Sequence, residues 1–263
     1  MASALIGGLI SSDNVLPENI IVSDINDSHL SELEAKFAVR TCGDNSRCAA
    51  KADVVVICVK PQMMATICKD IAEVVAKNQL LVISVAAGIT TENLKTWLGE
   101  KTAIVRAMPN TPALIKAGAA GLFANAEVDT DQKDIAEKIL RTVGVVLWVN
   151  TEKEMDYVTA LSGSGPAYFF RVMESMENAA VDLGLGKETA HILTLQTALG
   201  AAKLAMESSD SLSQLREKVT SPGGTTERGL GTMQDAGVDE MFNKTLQSAS
   251  DRAEALSNEY GEK

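Results

Sequence analysis

At 263 residues, 46% of them hydrophobic and 22% charged, the chain has the composition of a globular protein long enough for two moderate cores. Its 24 basic and 35 acidic residues give a formal charge of −11 with no basic block, which speaks against nucleic acid or an anionic membrane surface as a partner. Apolar runs at 52–59 and 80–89 are too short to span a bilayer, and no basic leader marks export.

In chain order, residues 1–10 read as a helix and 19–23 as a short β-branched strand ending at Asp24. A helix over 27–37 carries Leu30, Leu33 and Phe37 on one face, and a second short strand follows at 39–42. The run from Ala52 to Val59 is almost continuously apolar, as in a parallel-sheet strand covered on both faces. Lys60-Pro61 ends it, a helix follows over 62–76, and the next buried strand, 80–86, closes at Ala87-Gly88. A helix near 91–97 precedes a strand at 102–107, which breaks at Met108-Pro109-Asn110. Strands near 117–123 and 145–150 flank a helix at 131–142. This alternation predicts a doubly wound α/β, Rossmann-type domain over residues 1–150.

In such a sheet, ligands lie across the carboxyl ends of the strands. Small residues at Ala86 and Ala87 suit the approach of a flat ring, and Asp24 suits a ribose-binding acid as well as a cap for the next helix. Lys60, an ordinary surface lysine if taken alone, stands beside the same crevice. A dinucleotide fold opens with a strand and a Gly-rich turn, whereas this sequence starts inside a helix and no strand precedes Gly7-Gly8. Roughly nine upstream residues are therefore expected.

Beyond Asn150 the β signals stop. A helix over 152–161, broken by Ser162-Gly163-Ser164-Gly165-Pro166, is followed by an apolar helix to about Leu183 and further helices at 187–208, 211–219 and 238–260. These predict an all-α domain over 151–263, with small residues such as Ala198, Gly200, Ala201 and Ala202 allowing close packing between subunits. Within it lies the loop Ser221-Pro222-Gly223-Gly224-Thr225-Thr226. Pro222 fixes its own φ, the glycines free theirs, and a helical pattern then begins. A helix start of this kind suits an anion, a carboxylate above all, though a plain Thr-capped start has the same sequence. The two histidines, His29 and His191, lack triad or metal spacing, and the cysteines at 42, 48, 58 and 68 lack CxxC spacing. Reduced thiols, no metal and a cytoplasmic location are expected.

Five segments in one order carry a resemblance: Val56 to Pro61, Ser84 to Gly88, Arg106 to Pro112, Val158 to Tyr168 and Val219 to Thr226. Together the sequence resembles the pyrroline-5-carboxylate reductase family over essentially its whole length. The resemblance implies a Rossmann domain followed by a helical dimerisation domain, with dimers that often build decamers. It also implies hydride transfer from NAD(P)H to the C=N carbon of Δ1-pyrroline-5-carboxylate, giving L-proline in the last step of its synthesis. By the same resemblance, Gly224, Thr225 and Thr226 supply backbone N–H groups to the substrate carboxylate, with Ser221 and Gly223 in the same loop. The Thr226 hydroxyl is placed by the ring nitrogen, and Glu152 matches a position near the proline site. Asn45, Cys58, Val59, Lys60, Pro61, Val85, Ala86 and Ala87 match cofactor contacts. No histidine or metal is demanded, because the cofactor supplies the electrons.

Two charges oppose each other on coenzyme choice. Asp24 at the ribose corner favours NADH, while Lys218, where some family members have a neutral residue near the cofactor, favours NADPH. The nearest enzymatic rival, a β-hydroxyacid dehydrogenase, uses a lysine on the first long helix of its second domain; the matching run 167–178 holds Arg171 and no lysine. A non-catalytic oligomerising homologue without a phosphate loop is the rival from another class, and the intact Ser221–Thr226 loop argues against it.

Overall fold

The computed structural model describes residues 1–12 and 15–261. Contacts divide the chain into two compact units, Met1–Ser164 with Ser248–Lys263, and Gly165–Gln247. The first is α/β. It begins with α1 (Ala2–Ser11), β1 (Ile21–Ser23), α2 (Asp27–Phe37), β2 (Arg40–Cys42) and α3 (Asn45–Ala49), the last a short helix not anticipated from sequence. Then come β3 (Val54–Ile57), α4 (Met64–Asn78), β4 (Leu81–Ser84), α5 (Thr91–Leu98) and β5 (Ile104–Met108). β6 (Gly118–Ala124), α6 (Thr130–Arg141), β7 (Gly144–Trp148) and α7 (Glu154–Val158) complete the run.

Strands β3 to β7 form one sheet in sequence order, and β1 pairs with β2 in a separate parallel ladder. β3, β4 and β5 are parallel, but β5 and β6 run antiparallel. Their link holds only a 3-10 turn, Thr111–Ile115, and a parallel crossover needs a dozen residues or more. The sheet is covered on both faces. Leu81 and Ile83 of β4 point into a core with Leu5 of α1 and Ala136 and Leu140 of α6. Val82, from the same strand, points into a second core with Cys68, Ile71 and Val75 of α4 and Leu94 and Leu98 of α5. Every residue of β4 is buried, which explains why its sequence lacks the alternation of a half-exposed strand.

The anticipated break at Ser162–Pro166 takes another form. α7 runs directly into a π-helical turn, Thr159–Gly163, closed by Ser164 N–H donating to the Thr159 carbonyl at 2.9 Å. The last part of the chain also belongs to the first unit: Lys153 pairs with Glu254 at 2.7 Å, and Gln62 donates to the Tyr260 hydroxyl at 2.9 Å.

The second unit is helical, with α8 (Gly165–Asp182), α9 (Lys187–Glu207), α10 (Leu212–Lys218), α11 (Thr225–Asp235) and the start of α12 (Val238–Gly261). Of its residues only Gly165, Ala190 and Thr194 are buried. Phe169, Phe170, Leu183, Ile192, Leu199 and Met206 are all more than half exposed, so the unit closes no core of its own. No helix among the described residues is long and apolar enough to cross a membrane.

Candidate functional site

Parallel pairing brings the carboxyl ends of β3, β4 and β5 side by side. Past β3 come partly buried Cys58 and Val59, exposed Lys60, and Pro61, which starts a short 3-10 turn before α4. Past β4, the Val85 N–H extends the ladder to the Ile57 carbonyl at 3.3 Å, and the Ala86 N–H donates to Ser84 Oγ at 3.3 Å. Ala87 follows, and then Gly88 at φ +71°, where an added Cβ would meet Leu256 Cβ at 2.9 Å. Past β5, Asn110 donates through Nδ2 to the Ser162 carbonyl and hydroxyl at 3.2 Å each, and its Oδ1 accepts from Ala119 N–H at 3.0 Å.

Asp24 lies just beyond β1. Its carboxylate accepts from the Asn26 N–H at 3.0 Å and meets His29 Nδ1 at 2.9 Å. Burial raises this carboxyl, but the Asn26 amide and the His29 imidazole outweigh it and leave the group below the ordinary range. Asn45 is held close by: its Oδ1 accepts from Ser23 Oγ at 2.8 Å, and its Nδ2 donates to Asp70 at 3.0 Å. A row of strand ends with alanines at its centre, and an acid and an amide at a separate strand end, fits the flat rings and ribose hydroxyls of a nicotinamide dinucleotide. Burial pushes the Cys58 thiol up to about 11, which suits a packing role over a nucleophilic one.

Glu152, anticipated near the substrate, is tied through both carboxylate oxygens. Its Oε1 accepts from the Thr91 N–H at 2.7 Å and from Arg106 Nη1 at 2.6 Å, and its Oε2 accepts from Thr91 Oγ1 at 2.7 Å. Arg106 is almost wholly buried, with a side chain 7% exposed. Arg106 opens one of the five resembling segments and Thr91 starts a predicted helix, but neither was assigned a role from sequence. The available signal was a lone arginine within the otherwise apolar strand Ile-Val-Arg-Ala-Met.

In the helical unit, Ser221 to Gly224 form a hydrogen-bonded turn, Gly224 N–H to the Ser221 carbonyl at 2.9 Å. Pro222 and Gly223 (φ +73°) occupy its central positions, the residue pair that a type II turn favours. Gly224 is the N-cap of α11 and provides no side-chain cap. The Gly223 N–H is taken by Glu227 Oε2 at 2.7 Å. The Gly223 and Gly224 amides are thus engaged within the turn, and the open ones belong to Thr225 and Thr226. Both threonines are exposed, and among the described residues nothing bonds the Thr226 hydroxyl. Lys218, at the end of α10, pairs with Asp210 at 2.5 Å. His191 pairs with Glu177 at 2.9 Å.

Residues 152–256 match the family model described as pyrroline-5-carboxylate reductase dimerisation, and residues 1–88 match that of NADP oxidoreductase, coenzyme F420-dependent. The chain is 44% identical to a pyrroline-5-carboxylate reductase of Pseudomonas aeruginosa, over 100% of this chain and 95% of that one. A solved pyrroline-5-carboxylate reductase of Coxiella burnetii superposes with a TM-score of 0.93 at 46% identity, covering 97% of this chain and 94% of that one. The Plasmodium falciparum pyrroline carboxylate reductase, solved with NADP bound, gives 0.86 at 27% identity, again covering 97% and 94%. With relatives this similar along its whole length, the chain belongs to the pyrroline-5-carboxylate reductase family.

Proposed function

We propose that this chain reduces Δ1-pyrroline-5-carboxylate to L-proline with NAD(P)H, the last step of proline biosynthesis. The observation that carries the reading at the site is the uncapped first turn of α11 after a Pro-Gly turn, within a chain of this family. The Thr225 and Thr226 amides hold the substrate carboxylate, favoured there by the helix dipole. Ser221, Gly223 and Gly224 shape the turn behind it. The Thr226 hydroxyl donates to the ring nitrogen, which fixes the imine and aids its protonation. When bound, the reduced nicotinamide supplies the hydride. Cys58 to Pro61 and Val85 to Ala87 flank the nicotinamide half, and Asp24 and Asn45 the adenosine half.

The chain self-associates through its helical unit, as the match to a dimerisation family supports. The assembly proposed is a dimer that builds a decamer, acting in the cytoplasm. Purified chain should oxidise NADPH or NADH only when pyrroline-5-carboxylate is present, with L-proline as product. Oxidation of neither would sink the proposal. The ratio of the two rates reads out which charge governs, Asp24 or the Asp210-paired Lys218.

A further inference from the structure

We propose that Arg106, Glu152 and Thr91 form a positioning device for the coenzyme loop Val85–Gly88. The contacts close a ring. Ser84, the last residue of β4, lies opposite Arg106 of β5 in the parallel register. From Arg106 the path runs through the Glu152 carboxylate to both the amide and the hydroxyl of Thr91. From Thr91, the first residue of α5, it returns along residues 85–90 to Ser84.

Two further features show what the ring does. α5 is already capped by a reciprocal box between Thr90 and Asn93, so Glu152 is not needed to start the helix. It takes instead the Thr91 amide, which the box leaves over. A buried guanidinium without a counter-ion is strongly unfavourable, so the carboxylate is held to Arg106 and Thr91 is held to the carboxylate. Within the ring, Ile89 is fully buried and Gly88 packs closely on Leu256. Open the ring at Glu152 or Thr91, and the segment 85–91 loses its polar tie to β5 while Ile89 and Gly88 keep their packing.

The inference rests on the reading that Val85 to Ala87 contact the coenzyme, so one variant tests that reading by itself. NADPH affinity is measured without substrate by the fluorescence of the bound coenzyme. The KM for pyrroline-5-carboxylate is measured at saturating NADPH, and circular dichroism reports folding. Thr91→Val should weaken NADPH by about tenfold and Glu152→Gln by more, since each removes a hydrogen bond to a charged group. In Thr91→Val the KM for pyrroline-5-carboxylate should stay within about twofold, and Thr91→Ser should recover the lost affinity through its hydroxyl. A merely structural ring lowers the melting temperature and leaves NADPH affinity alone; that outcome in folded Thr91→Val overturns the proposal. So does a rise in substrate KM alone in Glu152→Gln, which would make Glu152 a substrate contact. If Glu152→Gln does not fold, Thr91→Val decides alone. Ala87→Leu crowds the loop directly. If it leaves NADPH affinity unchanged, the loop reading falls; if it weakens NADPH while the ring variants do not, only the ring proposal falls.

Discussion

Thr226 stands on the exposed first turn of α11, and no other described side chain depends on its hydroxyl. Removing that hydroxyl should cost little stability, as surface changes away from special contacts usually do. Thr226→Ala should therefore lower kcat by about a hundredfold, within the range for a positioned proton donor, while the melting temperature holds. Initial rates with pyrroline-5-carboxylate, alongside sedimentation velocity to confirm the dimer, check this; wild-type turnover would remove the role. The turn before Thr226 was legible because proline and glycine state their backbone angles in the sequence itself. The two glycine amides already engaged inside the turn were not legible, because Glu227 can bond backward only once that turn exists. The contacts of Arg106 and Thr91 escaped for a plainer reason. Their partner lies 46 and 61 residues away, and no local pattern records such a contact.

Among the elements, buried strands and amphipathic helices were read correctly because periodicity reports which faces are covered. The antiparallel β5–β6 pair and the π turn depend on link length and on packing against β5, which periodicity does not report. Burial also sets the chemistry of the cysteines. The thiol of Cys68, wholly covered on α4, is pushed up to about 12, and that of Cys48, by burial and the neighbouring Cys42 thiol, to about 11. Because the folded values lie above the ordinary 9.0, these thiols favour the folded state below that pH, and the contribution is lost as pH rises from 9.0 through 11 to 12. Melting temperature should therefore decline across that alkaline window, and less steeply in Cys68→Ala relative to its own value at neutral pH. Iodoacetamide at about pH 8 should label partly exposed Cys42 well before Cys58 or Cys68, as read by peptide mass spectrometry. Equal labelling of all would contradict the burial.

On the scale of the whole molecule, the sequence divides the chain at 150, where β signals end, whereas the compact units divide after Ser164 and again after Gln247. The difference arises because α7 packs on β6 and the tail returns to Lys153, Gln62 and Gly88, contacts set by three-dimensional closure and not by composition. The helical unit leaves Phe169, Phe170, Leu183 and other apolar side chains exposed in the single chain, and self-association is the means to cover them. Phe170→Asp, at a side chain 62% exposed in the single chain, should shift sedimentation from dimer to monomer and make the melting temperature fall on dilution. An unchanged dimer would take Phe170 out of the interface. With only Gly165, Ala190 and Thr194 buried within its own chain, this unit has little to hold it together before a second copy arrives. Its maturation should then be bimolecular: activity regained from denaturant should appear faster at higher protein concentration, and a chain defective in this unit should spoil the sound chain it joins.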